Sequence, residues 1–286
     1  MSINTQRLRE RLYDGKTAFT ITGYTLSILY ALIIIIPLYY VFISAFKDNQ
    51  QIFGAPLALP AKFDFENFIK AENVASLSRS MAISFGVTAG AEIVTILLAF
   101  PAAYAIARIR TPLTVLGESY FSAGFLIPAF AMLVPIVVLM AQLGLLYNPL
   151  SLVLFYPAVA MTVSVMVLAS YLRTVPIEIE ESAEIDGASR LQILRHILFP
   201  LARPGIVTVV IINFLTFWNE YLFALVLVSQ QNRTVQVALS ILKGERLIDY
   251  GILSAGVLLS ILPVFIVFLV FQEQVIEGLY SGSVKG

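Results

Sequence analysis

Long apolar stretches alternate with short polar ones along nearly the whole chain, a pattern that predicts a bundle of membrane-spanning helices. A helix needs about 20 apolar residues to cross the hydrocarbon core of a bilayer. The stretches that reach or approach this length are 21–46, 80–107, 119–143, 151–172, 205–228 and 254–271. We therefore expect an all-α polytopic membrane protein with six transmembrane helices.

The polar residues between and beyond these spans define the predicted domain organisation. Residues 1–20 form a polar N-terminal segment, residues 21–275 form the transmembrane domain, and residues 276–286 form a polar tail. Six spans place both termini on the same side of the membrane. If that side is the cytoplasm, inner segments carry eleven Lys and Arg residues and outer segments seven, a modest bias in the direction of the positive-inside rule. Both termini are therefore expected in the cytoplasm.

Composition supports the membrane assignment and excludes several other classes. Charged residues make up 13% of the chain, about half the ~25% of soluble proteins, and mean hydropathy is +0.88. Net charge is zero and the basic residues are scattered, so no nucleic-acid partner is indicated. Cysteine is absent, which excludes disulfides, thiolate chemistry and Cys-based metal sites, and a single histidine cannot build a metal site alone, so no metal site is predicted.

The segment 173–204 is the only long charged stretch set between long apolar ones. Pro176 suits a first helical turn, and a short helix over 177–186 is predicted to follow it. The glutamates in its first turn, where a helix favours negative charge, are Glu178, Glu180 and Glu181. Gly187 is the residue type expected just past a helix end. The sequence therefore predicts a helix that stops at this glycine.

A second helix is predicted directly after this turn. Ser189 and Gln192 match the S-x-x-Q capping box, and Pro200 and Pro204 are expected to close the helix. Apolar side chains fall on one of its faces, so the unit is predicted to be an amphipathic helix-turn-helix outside the bilayer. An ordinary amphipathic connection between two membrane helices is the alternative.

The same segment resembles the EAA loop of ABC importer permeases, E-A-A-x-x-D-G-A followed by I-x-L-P. The residues at the matching positions are Glu181, Ser182, Ala183, Asp186, Gly187, Ala188, Ile197 and Pro200. Ser182 stands where the middle Ala is usual. In that family this loop is the coupling helix that docks in a cleft of the ATP-binding subunit. The resemblance implies the type I ABC importer permease fold and assigns these residues to ATPase coupling.

Other stretches resemble the carbohydrate-uptake branch of the family. WNEYLFALVL at 218–227 and RTVQVALS at 233–240 resemble that branch, and GLYSGSVKG at 278–286 resembles the tail of the second permease of maltose-type importers. The resemblance implies a homologous second permease, an ATP-binding cassette ATPase dimer and an extracytoplasmic sugar-binding protein as partners. It also implies that the chain itself holds no cofactor, with ATP and Mg on the ATPase subunits.

The loop predicted between spans five and six, residues 229–253, is expected on the outer side. Apolar residues in this aqueous loop usually mark a contact surface, and the resemblance implies that the surface meets the binding protein. The residues assigned to that contact are Val235, Val237 and Leu239. Packing of these side chains back onto the permease is the alternative.

Span five carries a stripe that a helical repeat would place on one face, formed by Asn213, Thr216, Phe217, Glu220 and Ala224. Amide and carboxylate groups can hydrogen-bond sugar hydroxyls, and aromatic rings can stack on a pyranose. The residues assigned to the substrate path are Asn213, Phe217, Trp218, Asn219, Glu220 and Tyr221. The alternative is that those near the outer end form an aromatic belt and polar caps.

Two other classes compete with the sugar permease of an ABC importer. A stand-alone secondary transporter or channel could use Glu92 and Glu220 as proton or cation sites, but its signature, an inverted repeat, is not evident. A bond from Glu92 to a neighbouring helix is the favoured interpretation of that residue. A polytopic membrane enzyme could use the carboxylates at 178–186, but they lack a paired metal-ligand spacing.

Overall fold

The structure, a computed structural model, describes residues 3–244 and 248–283, with side-chain surroundings for 20–244 and 248–272. The first helices are α1 (Ile3–Ser44), α2 (Asn49–Gly54), α3 (Glu66–Ala75), α4 (Leu77–Arg108), α5 (Pro112–Gly124), a 3-10 turn (Ala129–Met132), α6 (Leu133–Gln142) and α7 (Leu150–Leu172). The later ones are α8 (Glu178–Ile185), α9 (Arg190–Gln192), a π-helical turn (Ile193–Leu198), α10 (Phe199–Leu201), α11 (Arg203–Trp218), α12 (Leu222–Leu227), a 3-10 turn (Gln230–Asn232), α13 (Val235–Ile241) and α14 (Tyr250–Ser283). This part of the chain contains no β-strand.

Among the described residues, four helices are long and apolar enough to cross a membrane: Thr20–Ser44, Leu77–Arg108, Leu150–Leu172 and Tyr250–Gln272. Two bent pairs pass the same test together. They are Pro112–Gly124 with Ala129–Gln142, bent by 97°, and Arg190–Leu201 with Arg203–Trp218, bent by 72°. The predicted number of six spans is reached when each bent pair counts as one.

The prediction of a single helix at 119–143 is wrong. The helix begins earlier, at Pro112, behind a capping box between Thr111 and Thr114, and it ends at Gly124. Pro128 then adopts an extended conformation before the 3-10 turn. Because proline has no N–H and disfavours a helical residue before it, the chain bends here instead of continuing.

The predicted boundary at residue 20 does not coincide with an end of helix. Helix α1 runs without interruption from Ile3 to Ser44, because no proline precedes Pro37 and the isolated Gly15 is tolerated. The polar segment 1–20 is therefore an extension of the first span, with residues 1 and 2 outside the described residues. At the other end, α14 continues to Ser283, and residues 284–286 of the predicted tail lie outside the described residues.

The chain divides into two compact units, of which the first comprises Met1–Ala71 and Lys243–Leu258. Within it, the buried Lys47 ammonium donates to the carbonyl oxygens of Ala55 and Pro56. Asn67 Nδ2 donates to the carbonyls of Ala45 and Lys47. These hydrogen bonds hold the polar connection after α1 in a compact fold rather than as an extended loop.

The second unit comprises Glu72–Leu242 and Leu259–Gly286, and its core forms where α4 packs along α7. Helix α11 packs against both of these helices. Close packing requires small residues at the contacts, and a Cβ on Gly205 of α11 would lie only 2.7 Å from Tyr171 Cγ of α7. The segment 173–204 joins α7 to α11, so its two ends enter the core helices of this unit.

Candidate functional sites: the 173–204 loop and the polar residues near span five

The first half of the 173–204 loop forms the helix that the sequence predicts. Helix α8 spans Glu178–Ile185, one residue shorter at each end than expected, and its first turn holds the predicted glutamates. Gly187 has a φ of +84°, a left-handed conformation that glycine adopts without steric cost. Its N–H donates to the Glu184 carbonyl, and the Ala188 N–H donates to the Ala183 carbonyl. The predicted glycine stop is confirmed.

The second half also begins as predicted. The Ser189 N–H donates to Gln192 Oε1 at 2.7 Å, and the Gln192 N–H donates to Ser189 Oγ at 3.4 Å, which completes the capping box. The helical structure ends at Leu201, between Pro200 and Pro204, so the end predicted from these two prolines is confirmed, although Pro200 itself lies inside the last turn. A proline ring clashes with the carbonyl four residues earlier in a regular α-helix. The widened π turn Ile193–Leu198, directly before Pro200, relieves this clash.

The residues assigned to ATPase coupling divide into an outward and an inward set. Exposed side chains or positions are Glu181, Ser182, Asp186, Gly187 and Pro200, whereas Ala183 is buried and Ala188 and Ile197 are half-buried. Large apolar side chains also face outwards next to them: Ile185 is 86% exposed and Leu191 72%. The loop thus presents carboxylates and apolar groups together on one accessible surface.

A contact that the sequence did not reveal anchors the inward side of α8. Arg108 Nε donates to Glu180 Oε1 at 2.5 Å, and Arg108 Nη2 donates to the Val175 carbonyl at 2.7 Å. The two charged side chains are only 11% and 7% exposed. A basic residue at the end of a long apolar helix signals that a partner is needed, but sequence does not say which of the loop's carboxylates supplies it.

Another ion pair lies near the start of the loop. Arg173 Nη2 contacts Glu118 Oε1 of α5 at 2.8 Å, with side chains 45% and 36% exposed. A pair exposed to this degree contributes little to stability, typically about 0–1 kcal/mol. The Arg108–Glu180 pair is therefore the stronger constraint on the loop.

Asn213 of α11 lies at the centre of a polar cluster between three helices. Its Nδ2 donates to Ser164 Oγ of α7 at 3.1 Å and to Glu92 Oε1 of α4 at 3.4 Å. Among the described residues, Glu92 Oε2 is buried without a hydrogen-bond partner. The expected bond from Glu92 to a neighbouring helix is confirmed.

Glu92 also lines a cavity of about 780 Å³. Most of the lining is apolar and comes from α4, with Arg195 and Phe199 entering from the 173–204 loop and Val210 from α11. The cavity therefore reaches from the polar cluster to the base of the loop. A rearrangement of the loop would change its shape.

The prediction that span five is one helix over 205–228 is wrong. Helix α11 ends at Trp218, and α12 begins at Leu222. The Glu220 carboxylate accepts hydrogen bonds from the N–H groups of Phe223 and Ala224 and from the Tyr156 hydroxyl. It therefore caps α12, because the first N–H groups of a helix have no partner within it.

Because the helix is interrupted at 219–221, the face predicted for Asn213, Phe217 and Glu220 does not continue along one helix. Asn213, Phe217 and Trp218 are buried, whereas Asn219 and Tyr221 in the break are exposed. Phe217 stacks on Tyr156 with ring centroids 5.0 Å apart, and Trp218 Nε1 donates to the Ser260 carbonyl. The substrate-path assignment stays a prediction, with Asn219 and Tyr221 the most accessible of these groups.

The residues assigned to the binding protein lie in α13. Val235 is 0% and Val237 5% exposed, and Leu239 is half-buried. The Val235 N–H donates to Ser84 Oγ of α4, and Val237 joins the core cluster that contains Phe155 and Phe223. The side chains of Val235 and Val237 thus pack onto the permease, as the alternative interpretation holds. The contact with a binding protein stays a prediction.

Comparison with known proteins gives both a family match and full-length relatives. Residues 95–276 match the family described as binding-protein-dependent transport system inner membrane component. The diacetylchitobiose uptake system permease protein NgcG of Streptomyces coelicolor is 32% identical over 270 residues, covering 93% of this chain and 89% of NgcG. The melibiose/raffinose/stachyose import permease protein MelC of Bacillus subtilis is 30% identical over 253 residues, covering 88% of this chain and 91% of MelC.

A solved structure shares the architecture. A chain of a bacterial ABC transporter involved in the import of the acidic polysaccharide alginate matches with a TM-score of 0.77 and 24% identity, covering 89% of this chain and 95% of that one. The predicted all-α polytopic fold of a type I ABC importer permease is confirmed.

Proposed function

We propose that this chain, which belongs to the family of binding-protein-dependent transport system inner membrane components, is the subunit through which an ABC importer moves a sugar or oligosaccharide across the cytoplasmic membrane. The observation that carries the proposal is the outward surface of α8, where Glu181 and Asp186 are exposed while Glu180 and Ala183 fix the opposite side. An ATP-driven partner that binds this surface would contact a helix that the Arg108–Glu180 pair already holds against the membrane domain.

The connectivity supports transmission from this surface to the interior. The 173–204 loop continues from α7 and leads into α11, and these helices carry Ser164 and Asn213 of the buried polar cluster. A movement of α8 would therefore act on both helices. Alternating access follows if the two helices shift together and open the polar cluster to one side at a time.

The relatives support a carbohydrate as the transported molecule. The names of NgcG and MelC describe uptake of diacetylchitobiose and of melibiose, raffinose and stachyose, respectively. Accessible amide and phenol groups at Asn219 and Tyr221 suit hydrogen bonding and stacking with sugar rings. The other, less accessible groups proposed for the substrate path are Asn213, Phe217, Trp218 and Glu220.

The proposed assembly contains a homologous second permease, a dimer of ATP-binding cassette ATPases and an extracytoplasmic sugar-binding protein. ATP and Mg would be held by the ATPases, and this chain would carry no catalytic residue. Both termini would face the cytoplasm, which places the 173–204 loop on the side of the ATPases. The greater number of Lys and Arg residues in the segments on that side supports this orientation.

A stand-alone transporter that uses Glu92 and Glu220 as ion sites receives less support. The Glu220 carboxylate is occupied by the Tyr156 hydroxyl and by the N–H groups that it caps. Such a carrier also has no use for an outward coupling surface like that of α8.

Purification from its own membrane in mild detergent tests the proposal. We expect an ATPase and a homologous permease to copurify with the chain. Vesicles containing this complex should import sugar only when ATP and the binding protein are supplied on opposite sides. Sugar uptake by vesicles that contain this chain alone would contradict the proposal.

A further inference from the structure

The guanidinium of Arg108 holds two parts of the 173–204 loop at once. Arg108 is the last residue of α4, and its Nε contacts Glu180 in the first turn of α8. Its Nη2 contacts the carbonyl of Val175, which lies in the turn that leads into α8. A single side chain therefore fixes both where α8 begins and how it is rotated about its axis.

Because it is buried, this ion pair restricts the orientation of α8 more strictly than a surface ion pair would. Both side chains are almost enclosed, so the desolvation cost is recovered only when the charges meet in good geometry. An apolar contact of the same size would hold α8 equally firmly but would tolerate sliding or rotation. The planar fork of an arginine does not, because its donors point in fixed directions.

The consecutive residues Glu180 and Glu181 show what this orientation achieves. Successive side chains on an α-helix point about 100° apart, so fixing Glu180 inwards aims Glu181 outwards. Glu180 is buried and Glu181 is exposed, as this geometry requires. The same rotation brings Ser182 and Asp186 to the outer surface and turns Ala183 inwards.

We infer that Arg108 is a positioning residue for energy coupling: with Glu180 it sets the orientation of α8 and determines how much ATPase movement reaches the membrane helices. This inference rests on the proposed function, since it assumes that an ATPase binds the outer surface of α8. Without the pair, α8 can still bind the ATPase, but it rotates under load instead of moving α4 and the helices packed on it. ATP is then hydrolysed without a matching movement of sugar.

Sugar imported per ATP hydrolysed is the first measurement, made on the complete complex in vesicles. Arg108→Met should lower this ratio by about tenfold, which lies within the range of factors by which two coupled sites typically affect each other. The ATPase should remain bound. Arg108→Lys keeps the charge but cannot reach both partners, so its ratio should be intermediate. Glu180→Gln keeps an acceptor oxygen and serves as a milder variant if Arg108→Met does not fold.

The exposed ion pair at the start of the loop offers a matched control. Glu118→Gln removes a carboxylate from the pair with Arg173, as Glu180→Gln does from the pair with Arg108, but the Arg173–Glu118 pair is half exposed. Its ratio of sugar to ATP should equal that of the parent complex. A loss as large as that of Arg108→Met would mean that any charge change near the loop has this effect, and it would overturn the inference.

The second measurement follows the orientation of α8 without any transport. Because the chain contains no cysteine, spin labels can be placed at single introduced cysteines, Ile185→Cys on α8 and Leu113→Cys on α5. Both positions are highly exposed. The distance distribution between the labels should be narrow in the parent and clearly broader with Arg108→Met, but unchanged with Glu118→Gln.

These measurements separate the inference from the proposed function. An unchanged distribution together with a normal sugar-to-ATP ratio in Arg108→Met would overturn the positioning role. A broader distribution in Arg108→Met, combined with no sugar import by the parent complex, would keep the structural role of the pair and overturn the proposed function instead.

Discussion

Tyr156 and Glu220 connect α7 to the break between α11 and α12: the Tyr156 hydroxyl donates to Glu220 Oε2 at 3.0 Å. The same carboxylate accepts the N–H groups of Phe223 and Ala224 at 2.8 Å and 2.9 Å. One side chain therefore stabilises both the interruption of the helix and its contact with the core. This gives Glu220 a capping role, in agreement with the alternative interpretation of the sequence, but the sequence does not indicate its partner Tyr156.

The first prediction distinguishes this capping role from a sugar contact. Glu220→Ala should lower the free energy of unfolding by about 1–3 kcal/mol, because it leaves buried donors unpaired, and Tyr156→Phe by about 1 kcal/mol. The double variant should lose less than the sum, since both changes remove the same hydrogen bond. Thermal unfolding of the detergent-solubilised protein measures these changes.

Leu222→Ala, a nearby change that leaves the hydrogen bonds in place, is the control. If Glu220 only caps, the sugar preference of transport should not change in Glu220→Gln. An altered preference at normal stability would instead assign Glu220 to the sugar path.

The second prediction concerns the polar cluster around Asn213. Asn213→Ala removes the donor to Ser164 and Glu92 and should lower both stability, by about 1–3 kcal/mol, and uptake. Asn213→Asp should be worse, because it places a second carboxyl group about where the amide now contacts Glu92. Val210→Ala, on the same helix but outside the hydrogen-bond network, should change little. Equal effects of Asn213→Ala and Val210→Ala on uptake would show that the cluster only fills space.

The third prediction tests the outer surface of α8. Glu181→Lys reverses an exposed charge and should reduce ATPase binding while the permease stays folded in the membrane. Gly187→Pro should abolish transport, because proline cannot adopt the φ of +84° and also lacks the N–H that donates to Glu184. Copurification of the ATPase and sugar uptake are the measurements.

Gly86→Ala provides the control for the glycine change. Gly86 lies within α4 with no atom near the position of an added Cβ, so alanine there should be neutral or stabilising by about 0.5–1 kcal/mol. Normal ATPase binding and normal import in both Glu181→Lys and Gly187→Pro would show that the α8 surface is not the coupling site.

The sequence predicts the 173–204 loop well because its signals are local. Gly187 stops one helix and Ser189 with Gln192 starts the next, and each acts within four residues of itself. The Arg108–Glu180 pair joins residues 72 positions apart. No periodic pattern links them, and Glu180 shares its neighbourhood with other acids. Only the packing of α8 against the end of α4 selects it.

The break in span five is a feature that the local sequence does not predict. Residues 206–228 contain neither glycine nor proline, so the apolar pattern predicts one helix. The interruption at 219–221 is stabilised by Glu220 and by its contact with Tyr156 from a different helix. In span three the bend also had a local signal, Pro128, but proline inside a membrane helix is tolerated often enough that its presence does not require a break.

The final prediction concerns α13, where substitutions of a buried residue and of a half-buried residue should have different effects. Val237 lies in the core cluster with Phe155 and Phe223, so Val237→Ser should lower stability by about 1–3 kcal/mol and reduce basal and stimulated ATP hydrolysis together. Leu239 is half-buried and nearer the surface. Leu239→Ser should therefore preserve assembly and basal hydrolysis, and blunt only the stimulation that a sugar-loaded binding protein produces.

This comparison is made in vesicles that contain the complete complex, with and without the loaded binding protein. The ratio of stimulated to basal hydrolysis is the quantity to compare, because loss of folded complex lowers both rates and leaves the ratio unchanged. A normal ratio in Leu239→Ser would remove this side chain from the contact with the binding protein. The Val237 side chain is only 5% exposed, so the binding protein cannot contact it while α13 is packed as in this structure. A reduced ratio in Val237→Ser would therefore mean that α13 leaves this packed position when the binding protein docks.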